Sequence, residues 1–338
     1  MGKQTRDRLV QWLEQTVNRD YIGKVSLVCL YGSHINGTAN DCSDVDCYFI
    51  PKTEDGLTLA RTFLLEGVGY DIFPMPWQRL ERIAALEDSH QPLVGDVQVL
   101  YADSPEDLSR LQDLQRQLRE HLADPVYRQH AAENRWLQGR AGAKLPLDSW
   151  TLRDSRLHAG GLLMDLAEKL AFSRGQYYHY GLKRQFADLL ALDGLPAELE
   201  KRYLAVLQAS DPSSVREACG ALLSCCGCTA ADAQEPICWG EMPKGEALAG
   251  LYEEISSTFR KIEVCARKND PVLAFLSAVC LQWELPELDV LTDYRVDDLS
   301  QFACKTAQTE GLLRQIIAQS GGILKEYPTF EAFLQAQT

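Results

Sequence analysis

Gly32-Ser33, ten intervening residues, and then Asp44-Val45-Asp46 combine residue types that handle phosphate and divalent cations. The pattern follows one apolar run, Val25 to Tyr31, and leads into another, Val45 to Ile50. Side chains alternate along a strand, so Asp44 and Asp46 are expected to share one face of the sheet. Val45, Cys47 and Phe49 would then form the opposite, buried face. Two carboxylates on one face can hold divalent cations, and Mg²⁺ is commonly held by one or two carboxylates together with substrate phosphates. Ahead of them, the Gly-Ser step opens a short segment of small and polar residues: His34, Asn36, Gly37, Thr38 and Asn40. Free backbone N–H groups and the Ser33 hydroxyl suit an anionic phosphate. A phosphate grip beside a metal grip is the chemistry of phosphoryl or nucleotidyl transfer. A solvated acidic turn is the plainer alternative.

A third acid stands within another apolar run, Val68-Gly69-Tyr70-Asp71-Ile72-Phe73-Pro74. An unpaired carboxylate in a largely buried strand is costly, and a metal ion or a substrate proton would relieve that cost. Asp71 on the exposed side of an edge strand is the alternative, and Asp96 is the fallback for a third acid. The strand–loop–strand setting with Gly-Ser-x(10)-Asp-x-Asp resembles the signature of the DNA polymerase β-like nucleotidyltransferase superfamily, matched without a gap. That resemblance implies catalytic carboxylates at Asp44, Asp46 and Asp71. Asp44 and Asp46 would hold Mg²⁺, two ions in the two-metal arrangement. Asp71 would either complete the metal site or act as general base toward an acceptor hydroxyl. It also implies a nucleoside triphosphate donor, ATP being the family's commonest, with Gly32 and Ser33 positioning its β- and γ-phosphates.

The chain's acidity bears on the acceptor. Forty-eight acids against 34 bases give a net charge of −14, and no long basic stretch is present. An enzyme that tails nucleic acid must neutralise a phosphate backbone and usually carries a basic face. A small-molecule acceptor is therefore expected, and no nucleic acid. Hydrophobic content of 46% with 24% charged residues fits a soluble globular protein. No apolar run approaches the roughly 20 residues that span a bilayer, so no membrane partner is expected. The N-terminal stretch reads as an amphipathic helix with Leu9, Trp12, Leu13 and Val17 on one face, without the apolar core of a signal peptide. The expectation is a cytoplasmic protein. Eleven cysteines are an odd number, which does not fit a fully paired secreted framework. Cys225-Cys226-Gly227-Cys228 with Cys238 offers one tight group and a single distant partner. Structural zinc sites repeat their Cys pairs across a longer gap, so small apolar cysteines at a helix end are expected here.

Strands and helices alternate in the first hundred residues: an N-terminal helix, a strand before Gly32, a strand over Val45–Ile50, a helix over Leu57–Leu65, a strand over Gly69–Phe73, a helix over Pro76–Leu86 and a strand over Val97–Ala102. This pattern describes an α/β layer fold. From Ser104-Pro105-Glu106, a capped helix start, helical periodicity dominates. Breaks fall at Asp124-Pro125, Lys144 to Asp148, Asp193 to Pro196, Asp211-Pro212 and Pro236 to Gly245. One long helix pattern covers about 148–175. The expected class is α+β: a nucleotidyltransferase α/β domain over 1–104, a short mixed sheet with flanking helices, followed by an all-α bundle over 105–338. Antibiotic nucleotidyltransferases of the aminoglycoside and lincosamide type have this layout, which extends the resemblance and points toward an antibiotic-resistance-like transferase.

Within the helical part, Tyr178-His179-Tyr180-Gly181-Leu182-Lys183-Arg184 is similar to a Tyr-x-x-Gly-x-Lys-Arg stretch of such domains. Lys183 and Arg184 are its candidates for clamping the donor phosphates; a solvated helix start over packed tyrosines is the alternative. Arg153-x(4)-His158, with Asp154 after the arginine, resembles the active-site motif of helical ribonucleases. Taken together, the residues suggest a Mg²⁺-dependent transfer of a nucleoside monophosphate to a hydroxyl of a small acceptor, possible antibiotics included. The rival is a protein-modifying (AMPylating) or antitoxin-like enzyme acting on a polypeptide.

Overall fold

The two apolar runs that flank the Gly-Ser step pair with each other at the heart of a six-stranded sheet. The computed structural model describes residues 3–37, 45–237 and 240–337. Asp44, Thr38, Asn40, Cys42 and Cys238 lie outside the described residues. Helix α1 (Lys3–Asp20) leads into β1 (Val25–Tyr31), a single 3-10 turn at Gly32–His34, and β2 (Asp46–Pro51). β1 and β2 are antiparallel, with Val28 opposite Phe49 and Tyr31 opposite Asp46.

Residues 57–65 depart from the sequence expectation. Instead of a helix, Glu54–Leu59 forms a 3-10 segment and Arg61–Leu65 is strand β3, hairpinned to β4 (Val68–Pro74). The connection is Glu66-Gly67, with φ of 53° and 75°. A two-residue turn with both φ positive matches the twist of its flanking strands. Phe63 and Leu65 then enter one core while Leu64 enters another, which is strand alternation. The apolar run is too short for its period to separate helix from strand.

β4 lies parallel to β2, with Cys47 beside Ile72. Two short helices follow, α2 (Trp77–Ala84) and α3 (Pro92–Gly95), and then β5 (Gln98–Ala102), which pairs antiparallel with β1. Both faces of the sheet are covered. Cys47 and Phe49 pack on one side with Leu9, Leu13 and Val17 of α1; Tyr48 and Ile50 pack on the other with α2 and α3. Tyr48 is fully buried, while Asp46 at the start of the same strand is only partly buried.

Helices α4 (Pro105–Ala123) and α5 (Pro125–Gln138) start at Pro residues. Ser104 Oγ accepts the Asp107 N–H, and the Asp124 carboxylate accepts those of Val126 and Tyr127. After β6 (Lys144–Leu145) comes α6 (Leu152–Ser173), buried on nearly every side from Ser155 to Phe172, with Arg156, His158 and Asp165 among its buried residues. Helix α5 packs along it, as do α7 (Leu182–Leu190) and α9 (Pro212–Cys225), the latter opened by a capping box of Asp211 and Ser214; α8 (Leu199–Gln208) packs on α9, and α10 (Gly245–Lys268) follows β7 (Ala231–Asp232). α11 (Pro271–Glu284) and α12 (Leu299–Gln319) complete the helical mass.

The chain after residue 104 is not helical throughout, because its last turn returns to the first sheet. β8 (Glu326–Tyr327) pairs parallel with β3, and α13 (Phe330–Gln335) packs beside α1. The Phe333 ring lies 4.7 Å from that of Phe63 and 4.8 Å from that of Trp12. Burying such a side chain is worth roughly 1.5–3 kcal/mol, and β8 closes an edge that would otherwise expose unpaired backbone. The architecture is thus a mixed α and β fold with one principal mixed sheet and many helices. Among the described residues no helix is long and apolar enough to cross a membrane.

Candidate functional site

β1 delivers the Gly-Ser step to the rim of a cavity of about 1050 Å³. Gly32 has φ +76°, in the left-handed region, and the Ile35 and Asn36 N–H groups both turn back to its carbonyl at 3.1 Å. A Cβ on Gly32 would collide with the Asp46 carboxylate. Glycine is therefore required twice here, for its backbone angle and for its bulk. Ser33 follows, 7% exposed and lining the cavity; its Oγ is buried with no hydrogen-bond partner among the described residues. A buried hydroxyl without a partner is costly, so a ligand oxygen at this place would relieve that cost.

The parallel register brings Asp46 and Asp71 side by side. Cys47 on β2 pairs with Ile72 on β4, and the two acids each precede one member of that pair. Both line the cavity. Thr62 Oγ1, across the β3–β4 hairpin, donates to Asp71 Oδ1 at 3.2 Å. Burial pushes the neighbouring Cys47 thiol well above its ordinary range, and the charges of Asp71 and Asp46 add to the shift. The Glu254 carboxyl on α10 is also held above the usual range, first by desolvation and then by the nearby charges of Asp71 and Glu284. α10 reaches this position because Gly69 has no side chain: a Cβ there would strike the Glu253 carbonyl and Ser256 Oγ.

Among the described residues no group of three or more His, Cys, Asp or Glu side chains is gathered to hold a metal ion. The carboxylate set expected from the sequence includes Asp44, which lies outside them. Asp46 and Asp71, adjacent and both facing the cavity, are the members that can be placed. Cys225, Cys226 and Cys228 fall at the end of α9 and just beyond it, where Cys228 Sγ lies 3.7 Å from the Cys226 carbonyl oxygen.

Lys183 lines the cavity, but Arg184 does not. The Arg184 guanidinium pairs with Asp188 one turn along α7 at 3.1 Å and lies 4.6 Å from the Tyr180 ring centroid. Adjacent residues on a helix point about 100° apart, and here the offset turns Arg184 toward Asp188 while Lys183 faces the cavity. Asp96 is absent from the lining. It accepts from Tyr177 Oη at 3.2 Å and pairs with His179 Nδ1 at 2.8 Å. That engagement takes it out of the role of a third metal acid. Arg153 and His158 do not converge either. Arg153 bonds Asp154 and the Pro286 carbonyl, while His158, 2% exposed, bonds the Lys144 carbonyl through Nε2. Neither lines the cavity.

No protein-family model matches the chain, and no curated protein matches it in sequence.

The far wall of the cavity holds residues that sequence inspection passed over. Asp165 on α6 is 5% exposed and accepts the N–H groups of Ala141 at 2.8 Å and Arg140 at 3.2 Å. Burial pushes its carboxyl up to about 6 despite those two bonds. One turn on, Glu168 receives Arg135 at 2.8 Å, and the Arg140 guanidinium lies 3.6 Å from the Trp283 ring centroid. The signal was present in Leu162-Leu163-Met164-Asp165-Leu166-Ala167-Glu168, where two acids interrupt an apolar run.

Proposed function

We propose that this protein is a Mg²⁺-dependent nucleotidyltransferase that moves a nucleoside monophosphate from a nucleoside triphosphate, ATP in the first instance, to a hydroxyl of a small-molecule acceptor. The observation that carries the reading is the meeting of Gly32, Ser33, Asp46 and Asp71 in one cavity, with Ser33 Oγ buried and unpartnered among the described residues. Backbone N–H groups of the Gly32–His34 turn and the Ser33 hydroxyl hold the β- and γ-phosphates. Asp46 and Asp71, with Asp44, are the side chains that would hold magnesium, which supplies neutralising charge at the phosphates. Their fit rests on two adjacent carboxylates facing a cavity beside a phosphate-sized, polar turn.

The acceptor hydroxyl attacks the α-phosphorus in line. Its proton passes to Asp71 or to solvent, the α–β P–O bond breaks, and pyrophosphate leaves with the electron pair. Such a site works mainly by positioning and charge compensation, which suits a machinery of few residues. A small acceptor is favoured over a polynucleotide because the chain's charge is −14.

Incubation with each of the four α-³²P-labelled nucleoside triphosphates, Mg²⁺ and an acceptor panel tests the proposal. Label is expected on a small molecule and is expected to vanish with Asp46→Asn. Label on a polypeptide instead would move the acceptor to the protein-modifying class. Activity of Asp46→Asn within tenfold of wild type would remove nucleotidyl transfer altogether.

A further inference from the structure

A second polar group faces the same cavity from the helical side. His179 lies in the segment between α6 and α7 and lines the cavity together with Ser33, Asp46 and Lys183. Its ring is held from several directions. Nδ1 lies 2.8 Å and 3.0 Å from the two Asp96 oxygens, and the Tyr177 ring lies 4.1 Å away, tilted by 44°. Tyr177 Oη also donates to Asp96, so one carboxylate organises both rings. The His179 carbonyl accepts from Asn36 Nδ2 at 3.2 Å, which ties the segment to the turn carrying Ser33. A carboxylate on Nδ1 fixes the tautomer and ring orientation and leaves Nε2 to a ligand.

Resting on the nucleotidyl-transfer reading, we propose that His179, oriented by Asp96 and Tyr177, is a donor-binding residue: its imidazolium donates through Nε2 to the terminal phosphates of the nucleoside triphosphate and to the departing pyrophosphate. The charge logic agrees. The hydrogen bond that Nδ1–H donates to Asp96, which is the largest influence, holds the imidazole above its ordinary range against the opposing effect of burial. Asp188 of α7 adds to the rise. Lys183 shares the cavity, and Tyr177 shares the carboxylate. An imidazolium held in this way is a charge-assisted donor to a phosphate oxygen. It also does what the expected Lys183–Arg184 clamp cannot do with Arg184 turned to Asp188.

Pyrophosphate binding in the presence of Mg²⁺, measured by isothermal titration on the full chain, tests this without needing the acceptor. His179→Gln is half exposed and keeps a polar group, so unfolding curves are expected to match wild type. Its affinity should fall about tenfold or more at pH 6.5, with a difference that shrinks as pH rises and the wild-type imidazole gives up its proton. Asp96→Asn should keep binding at low pH but lose it at a lower pH than wild type does; the ratio of the two proteins at each pH cancels the ligand's own titration. If wild type binds and His179→Gln binds equally at both pH values, the role of His179 is overturned while nucleotidyl transfer stands. If wild type binds neither pyrophosphate nor ATP, both readings fall together.

Discussion

Gly32 and Asp46 meet where β1 hands over to the phosphate turn, so closely that a methyl group on Gly32 would overlap the Asp46 carboxylate. Tyr31 and Asp46 are paired in the ladder, so the turn begins one residue past the last paired position. The first glycine of the pattern therefore serves the acid at its far end as well as the turn. Gly32→Ala should cost about 1–2 kcal/mol from the left-handed backbone alone, and more from the displaced carboxylate. A lower midpoint of thermal unfolding together with weakened Mg²⁺-dependent ATP binding is expected. A variant with wild-type affinity would show that the Asp46 position does not depend on the turn.

Ser33→Ala should separate stability from binding. The hydroxyl is buried and makes no hydrogen bond among the described residues, so its loss should leave unfolding unchanged or slightly improved. ATP affinity should fall about 2–10-fold, the worth of one hydrogen bond, because the backbone N–H groups of the turn remain. Titration at low ATP reads this directly, and affinity equal to wild type would reduce Ser33 to a turn residue.

Asp71→Asn distinguishes a base from a metal ligand. The amide can still accept from Thr62, which donates to Asp71 in the wild type at 3.2 Å, so the hairpin should hold. As general base, Asp71 contributes about 10²–10⁴-fold to turnover, and the variant should bind ATP normally while losing that much in a single-turnover measurement. As a metal ligand, binding and turnover fall together. Unchanged turnover would remove Asp71 from the site.

Asp165 predicts a pH dependence of stability. Burial raises its carboxyl in the folded protein from 3.8 to about 6, so the folded state holds the proton more tightly than the unfolded chain does. That contribution is complete below about pH 4 and is lost as pH rises through about 6, amounting to order 2–3 kcal/mol. The unfolding midpoint of wild type relative to Asp165→Asn should therefore decline between pH 4 and pH 6.5. A difference that stays flat across that range would show that Asp165 keeps its ordinary acidity.

Much of the local structure could be read from the chain itself. Ser104-Pro105, Asp124-Pro125 and Asp211-Pro212 each mark a helix start, because a side-chain acceptor before a proline satisfies the free N–H groups of the first turn. The paired apolar runs around Gly32-Ser33 were legible for a similar reason: short continuous apolar runs bounded by residues unsuited to a strand fit strands buried on both faces. Residues 57–65 do not form the expected helix because Arg61-Thr62-Phe63-Leu64-Leu65 is too short to show a period, and the Glu66-Gly67 turn with both φ positive pairs it with β4.

The composition of the cavity was beyond the reach of sequence. Gly-Ser and the acids of β2 and β4 are brought together by strand pairing that the pattern anticipates, whereas Asp165, His179 and Trp283 come from distant elements set by packing. Lys183 and Arg184 are neighbours in sequence, yet the rotation of α7 gives one to the cavity and the other to Asp188. The return of Tyr327, Phe330 and Phe333 to β3 likewise depends on an uncovered apolar face more than 260 residues away in the chain. Local patterns declare backbone conformation because hydrogen bonds, caps and side-chain alternation act over a few residues. Which surfaces meet is decided by burial summed over the whole molecule, and only the folded chain states that result.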